Sequence, residues 1–591
     1  MKNILIAIRS IFKKGRHNVM KIVSLGIGLA VGLVLIAKVY FEQSYDDFYP
    51  DRDRVYQVWA KYQQNGGELK DYPQTSGGIA PTMQQQIPEI ETVTRYTSFG
   101  DWTFTMTDTK MKYSGRCIIA DSCFFDILPR PMLIGNAKEV LSTPMYVLIS
   151  SRIAKNIGGD VIGKNFTVDN SPGRTMTIGG VFEEVPENSH SRYDVIVSMA
   201  SAGRFMWEGS PTNMLGNDRY ISYVKLHKGV NPLALEEQVR TFVNSYFPPE
   251  EQQKVGLSID FSFHKLDNLH KELPQVKRMT WILSLLAFAL IFTAVMNYIL
   301  IVISSIVNRS KEVAVHKCYG ASENNIHGMM FGEALVHIVL SLILALLLIL
   351  AFRGTVEELL ATSLDSLLLS NGSLVLLGIC ILVFFVSGFM PGSLYARIPV
   401  ASAFRNYREN KRIWKKALLL VQFVATGFLV TMLVFVARQY TFMVNDRPGY
   451  AYENLAYCGL AGVDSTSRAK ILDEVMRLPG VAAATTVYQL PFEHASGNNI
   501  LLPGGTQELF NIADLYWVGN GYLDMMEIPV IQGRSFTENV TNSREVMVDR
   551  RFVEKMKLVA GWTDDVVGKD ICVTEHSKWN EEPFTICGVY E

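Results

Sequence analysis

Residues able to make or break bonds are few here, and their spacing argues against an enzyme. Residues 158–164 read GGDVIGK and fit G-x-x-x-x-G-K, the opening of a phosphate-cradling loop. Asn165 follows, however, where a Ser or Thr hydroxyl must hold Mg²⁺, so the segment is expected to be a β-turn. His264 and His270, each beside a lysine in FSFHKLDNLHKELP, make only a weak metal pair. No H-E-x-x-H, G-x-S-x-G or paired carboxylates in a recognisable setting occur. The seven cysteines, Cys117, Cys123, Cys318, Cys380, Cys458, Cys572 and Cys587, include no C-x-x-C or zinc spacing. Pairing of Cys117 with Cys123 or of Cys572 with Cys587 stays open, and unpaired buried thiols are the favoured reading. One stretch could act by docking rather than by chemistry. Residues 309–322, RSKEVAVHKCYGAS, form a short mixed-charge helical run wedged between two long apolar segments. Such a connector cannot fold alone; it is either a solvated link or a charged face presented to a soluble partner.

The elements around it must then be membrane spans. Apolar residues make up 48% of the 591, and the formal net charge of −1 leaves no basic footprint for nucleic acid. Five stretches reach or approach the ~20 apolar residues a helix needs to cross a bilayer: 22–41, 279–307, 334–352, 366–396 and 417–437. Lys38 lies near the end of the first and is expected to snorkel to the interface. The first 41 residues hold seven Lys or Arg and no acid. Within them, 1–21 is expected to be an interfacial amphipathic helix. The 397–416 linker is also basic, whereas 353–365 is acidic. Basic segments stay in the cytoplasm, which puts the N-terminus, 308–333 and 397–416 inside and places 42–278 and 438–591 outside. The first outer segment mixes alternating runs such as RVYQVWA with a helix expected at 231–243, Asn231 as its N-cap. Ser24, Gly28 and Gly32 give the first span a small-residue face for close helix approach. Asn297, Gln422 and Thr426 are expected to hydrogen-bond between helices.

An internal repeat runs through the chain. Residues 403–406 (AFRN) precede the fifth span much as 7–10 (AIRS) precede the first. DILPRPMLIG (126–135) matches DMMEIPVIQG (524–533), VIGKNFTV (161–168) matches VVGKDICV (566–573), and MTIGGVFE (176–183) matches FTICGVYE (584–591). The fold expected is an α-helical membrane protein with α+β periplasmic domains in two tandem repeats, the second truncated. A complete double unit would run to roughly 800 residues with about eight spans.

The stretch 309–322 resembles the coupling segment of MacB/FtsX-type ABC transporter permeases, roughly R-x-K-E-I-G-(I/V)-R-K-x-x-G-A-(S/T). Lys311, Glu312, Val313, Val315, Lys317, Gly320, Ala321 and Ser322 fit that pattern; Ala314 and His316 stand where Gly and Arg are usual, and Cys318-Tyr319 is an uncommon pair. EQSYDDFYPDRDRVYQV (42–58), PEIETVTR (88–95), DSCFFDILPRPMLIG (121–135) and LVQF (420–423) are similar to the same family. The resemblance implies a non-enzymatic permease in a bacterial inner membrane, with MacB-like core domains in the periplasm and a stalk around His264 and His270. ATP and Mg²⁺ would sit on a cytosolic ABC ATPase, and no cofactor on this chain. Further implied partners are the bilayer, a second permease copy, a periplasmic adaptor and an outer-membrane channel. The function implied is mechanotransmission in efflux. The alternatives are an FtsX-like signalling subunit acting on a cell-wall hydrolase, or lipoprotein release.

Overall fold

The computed structural model describes residues 17–591 apart from 65–68, 169–170, 217, 370–371, 397–398, 401–412, 446–448, 461–462, 492–495, 506–508, 537–543, 564 and 575–581. Most of the expected interfacial helix, the AIRS and AFRN segments and most of the 397–416 linker therefore lie outside the described residues. The chain divides into two compact units, Met1–Val434 and Phe435–Glu591.

In the first unit, α1 (Asn18–Gln43) leads into a large α+β domain, and α2 (Pro274–Ser304) leads out of it. Then come α3 (Ile306–Cys318), α4 (Glu323–Ala351), α5 (Ser373–Ala396) and α6 (Ile413–Asn445), the last of which runs on past Val434 into the second unit. Five of these, all but α3, are long and apolar enough to cross a membrane. The shortest has 24 residues, about 36 Å at 1.5 Å per residue, against a hydrocarbon core of about 30 Å. The 308–333 segment is mostly helical, because α4 starts eleven residues before its apolar run does. The expected span 366–396 is shorter than drawn: residues 366–368 belong to a separate short helix, Leu364–Leu368, and α5 begins at Ser373.

Helix packing follows the small residues. A Cβ on Gly28 would lie 2.2 Å from the Ala294 Cβ, and one on Gly32 would lie 2.4 Å from Ile291 Cγ1, so α1 and α2 touch backbone to side chain at both. Gly26 makes the same allowance for Leu344 of α4. Around this seam Leu25, Leu29, Ile299, Val302, Ile338 and Val383 form one buried core. α6 is different. Only a narrow stripe, Gln422, Ala425, Leu429 and Met432, is half-buried, and its other described side chains are exposed.

The large domain is built on an eleven-stranded sheet. Ile90–Met106 is its longest strand and runs through two cores, with a register shift between Ser98 and Gly100, whose φ is +72°. That bulge bends the strand, as an unpaired residue in one strand does. One core holds Val58, Ile79, Met83, Val239 and Phe242, the other Ile119, Val147, Ile149, Ile178 and Val197. The helix expected at 231–243 starts later: Pro232–Leu235 is a 3-10 turn, and the α-helix proper is Glu236–Tyr246. Glu236 and Glu237 sit in its first turn, where the helix dipole favours acids.

The second unit has a six-stranded sheet. Its strand Glu545–Asp549 runs parallel to Phe584–Tyr590, with one register shift, between Val546 and Met547. In the first unit Tyr146–Ser150 runs parallel to Ser171–Phe182, and its shift falls at the same step, between Val147 and Leu148. On the other side of the shared strand, Val530–Gly533 pairs antiparallel as Met132–Ile134 does. Gly533 (φ +73°) and Gly135 (φ +86°) close those edges in left-handed conformation. Gly568 N–H donates to the Ile586 carbonyl at 2.7 Å, and Gly163 N–H to that of Ile178 at 2.8 Å.

Candidate functional site

The run 309–322 forms a helix, a reversal and the start of the next helix. α3 ends in a Schellman motif: Gly320 N–H donates to the Lys317 carbonyl and Ala321 N–H to that of His316, each at 3.0 Å. Gly320 has φ +85°, which a residue with a Cβ adopts only at a cost. Ser322 then caps α4, its hydroxyl accepting from Asn325 N–H. The G-A-S signature is thus the turn chemistry of a tight αα connection.

The two sides of α3 do different things. Val313 and Ala314 are each 1% exposed and pack into the membrane core. Ser310 is buried beside them. Lys317, expected on the docking face, turns inward and donates to the Ala396 carbonyl at the end of α5, at 2.7 Å. Glu312 is half-buried, as is Ala321. The outward stripe is Lys311, Val315 and Tyr319, spaced four apart, with His316 and Cys318 beside it. Tyr319 is 89% exposed, which is unusual for a tyrosine and makes it the largest outward feature of the connector.

Above α3 the helices are cross-linked by buried polar groups that apolar-run counting passes over. Lys21 Nζ of α1 lies 3.6 Å from Glu333 Oε1 of α4, with both side chains almost fully buried. Tyr298 of α2 hydrogen-bonds His337 of α4 at 3.1 Å. The Tyr395 hydroxyl of α5 donates to the Val302 carbonyl of α2, also at 3.1 Å. Gln422 Nε2 of α6 donates to Asn297 Oδ1 of α2. Thr426 is exposed and Ser24 half-buried. A basic residue within 1–41 and an acid just before an apolar run were the available signals for the Lys21–Glu333 pair.

At the domain end of the helices, Lys38 does not snorkel. It is 8% exposed, bonded to Glu42 Oε1 at 2.6 Å and to the Thr362 hydroxyl of the α4–α5 connector at 2.9 Å. His270, just before α2, reaches the other Glu42 oxygen at 2.5 Å and stacks on Tyr45. Asp46, left-handed at φ +56°, is held by Ser189 and His190, its Oδ2 2.5 Å from the His190 Nδ1. Ser363 N–H donates to Glu187 Oε2 at 3.0 Å. Domain, α1, α2 and the α4–α5 connector therefore meet in one polar knot beside a cavity of about 420 Å³. In the connector, the Leu364 N–H and then Arg353 hold the half-buried Glu357 carboxyl below its usual range.

The remaining candidates are accounted for structurally. Residues 158–164 form a turn with Gly158, Gly159 and Gly163 all at positive φ. His264 lies in the strand Leu257–Lys265 and stacks on Trp59. No group of three or more metal-ligating side chains occurs among the described residues. The seven cysteines, all among the described residues, form no disulfide. Burial pushes the Cys117 thiol well above its ordinary value.

Residues 20–242 match the family described as MacB-like periplasmic core domain, and residues 284–400 match FtsX-like permease C-terminal. No curated protein matches. Among solved structures, the chain is 33% identical to a domain of a "putative Permease protein" from Porphyromonas gingivalis, over 37% of this chain and 91% of that one, with a TM-score of 0.34. The periplasmic region of MacB from Actinobacillus actinomycetemcomitans is 14% identical over 37% and 91%, with a TM-score of 0.26. The extracellular domain of the noncanonic ABC-type transporter YknZ from Gram-positive bacteria is 12% identical over 35% and 98%, with a TM-score of 0.25.

Proposed function

This chain belongs to the MacB/FtsX-type ABC transporter permeases, and from that premise we propose that it transmits the ATP-driven motion of a cytosolic partner ATPase through α3 to its large domain. The observation that carries the reading is the two-sidedness of α3. Its inner side is locked to the membrane core by Val313, Ala314 and Lys317, while Lys311, Val315 and Tyr319 face out. A rigidly seated helix with an exposed aromatic is suited to receive a push. Aromatic side chains that become buried on binding carry much of the energy at protein interfaces.

The polar knot supports the other end of the path. Lys38, Thr362, Glu187 and Ser363 tie the α4–α5 connector both to the top of α1 and to the large domain. Displacement of the helices would then reach the domain through hydrogen bonds rather than through loose loops. The positive-inside rule supports a cytoplasmic α3 with the large domain across the membrane, and an inner membrane with that domain in the periplasm is the location proposed. ATP and Mg²⁺ belong to the partner. Export of substrates already in the periplasm, with an adaptor and an outer-membrane channel, is the role proposed.

We also read the two outer units as copies of one fold. The matched register shifts and left-handed glycines support that. The test of the whole proposal is mass spectrometry of the complex recovered in mild detergent through an N-terminal tag. An ABC ATPase together with an adaptor or channel is expected. An ATPase with a cell-wall hydrolase instead would move the protein to the signalling role, and wild-type chain without an ATPase would end the coupling reading.

A further inference from the structure

Arg130 is the least explained charge in the large domain. Its side chain is 5% exposed, and none of its three nitrogens has a hydrogen-bond partner. The guanidinium carbon sits 5.2 Å from the Phe182 ring and 5.9 Å from those of Phe124, Phe125 and Tyr193. Burial lowers its affinity for its proton, and the phenols of Tyr49 and Tyr193 partly offset that. Ring faces attract a cation but offer no acceptor to its five N–H groups, and the hydroxyl that bears on it most, that of Tyr49, is already engaged with Ser191 at 2.5 Å. The fold does not need a cation at this place. In the second unit the residue before the matching proline is Ile528, and Pro529 accepts from Glu591 N–H as Pro131 accepts from Glu183 N–H.

Arg130 also lines a cavity of about 290 Å³ with Phe125, Met132, Asn136, Ala137 and Lys138. That is room for roughly ten waters, enough for a small organic molecule and too little for a folded segment. Phe125 is half-buried and forms a wall of both the aromatic cage and the cavity. Lys138 and Asp126 both line the cavity and lie 3.9 Å apart, so Lys138 is balanced by a carboxylate already there and Arg130 is the cation left for a ligand. We infer that this cavity is a binding site for a small organic carboxylate, whose two oxygens take the planar fork of Arg130 while its apolar body lies against Phe125, Met132 and Ala137. Carboxylate and guanidinium match in shape, and a paired buried charge removes the cost of an unpaired one.

The test is hydrogen exchange of peptides covering residues 122–138 in the full chain in detergent, with sodium butyrate, sodium phosphate or sodium chloride at equal ionic strength. Butyrate is expected to slow exchange there several-fold relative to chloride. Arg130→Leu should lose that protection while remaining folded, since Ile528 fills the matching place. If Arg130→Leu does not fold, Arg130→Lys, which keeps the charge without the fork, should show most of the protection gone. Three results overturn the inference: no butyrate effect on the wild type, an equal effect on the variant, or protection by phosphate alone.

Discussion

Lys38 and Glu42 show how much a single residue's partners decide. A lysine near the end of an apolar run is expected to reach for the interface, yet this one points at a carboxylate one turn on and at a hydroxyl 324 residues away. Removing one member of a buried pair strands the other charge, at a typical cost of about 3–5 kcal/mol. Lys38→Met leaves Glu42 with His270 as its remaining partner and should lower the thermal unfolding midpoint in detergent, and Lys38→Met with Glu42→Leu should recover only part of the loss, because it also removes the partner of His270. A double variant no better than the single one would remove the pair from the account. Gly28 is a simpler case. Its sequence signal, small residues four apart, was legible, and the 2.2 Å approach to Ala294 is its physical basis. Gly28→Leu should destabilise by about 1–3 kcal/mol or more through overpacking, read by the same unfolding curve. Lys38 was not legible in the same way, because its second partner arrives only through tertiary packing.

At the scale of elements, the position and turn chemistry of the coupling run could be read, but not which of its faces is free. Lys317 looks like a docking charge in sequence and is an internal anchor in the fold; Tyr319 looks like an oddity and is 89% exposed. The seating of Val313 and Ala314 in the core and the Lys317 bond to Ala396 together fix the rotation of the helix. Gly320→Val puts a β-branched residue at φ +85° in open space, so the expected penalty is backbone strain alone, about 1–3 kcal/mol. The α4–α5 connector makes a pH prediction. Glu357 has a lowered folded pKa, so its stabilising contribution is present above the ordinary glutamate value and is lost as pH falls through the folded one. Amide exchange at Leu364, corrected for intrinsic rate, should accelerate in that acid window in wild type and become nearly pH-independent in Glu357→Gln. Equal pH dependence in both would assign the effect elsewhere.

At the scale of the molecule, the apolar runs made the membrane helices legible, and the alternating strands gave the α+β character of the large domain. Helix boundaries were less so: α4 begins well before its apolar run because Ser322 caps it, and capping overrides hydropathy at a helix start. The sequence matches between the outer units align residues that also share strand pairing and bulge position. Left-handed Gly135 and Gly533 face carbonyls of the neighbouring strand, where an added Cβ would lie 2.7 Å from the Gly179 oxygen and 2.4 Å from that of Cys587. The proposed duplication expects Gly135→Ala and Gly533→Ala each to loosen its own unit alone, seen as exchange changes confined to that unit's sheet. The central claim, that the outward stripe of α3 is where an ATPase docks, is tested most directly by placing a photo-crosslinking amino acid at single positions in cells. Position 319 should capture a cytosolic ABC ATPase, and position 313, buried in the core, should capture none. Capture at 313 with silence at 319, or no ATPase at either, would contradict the account.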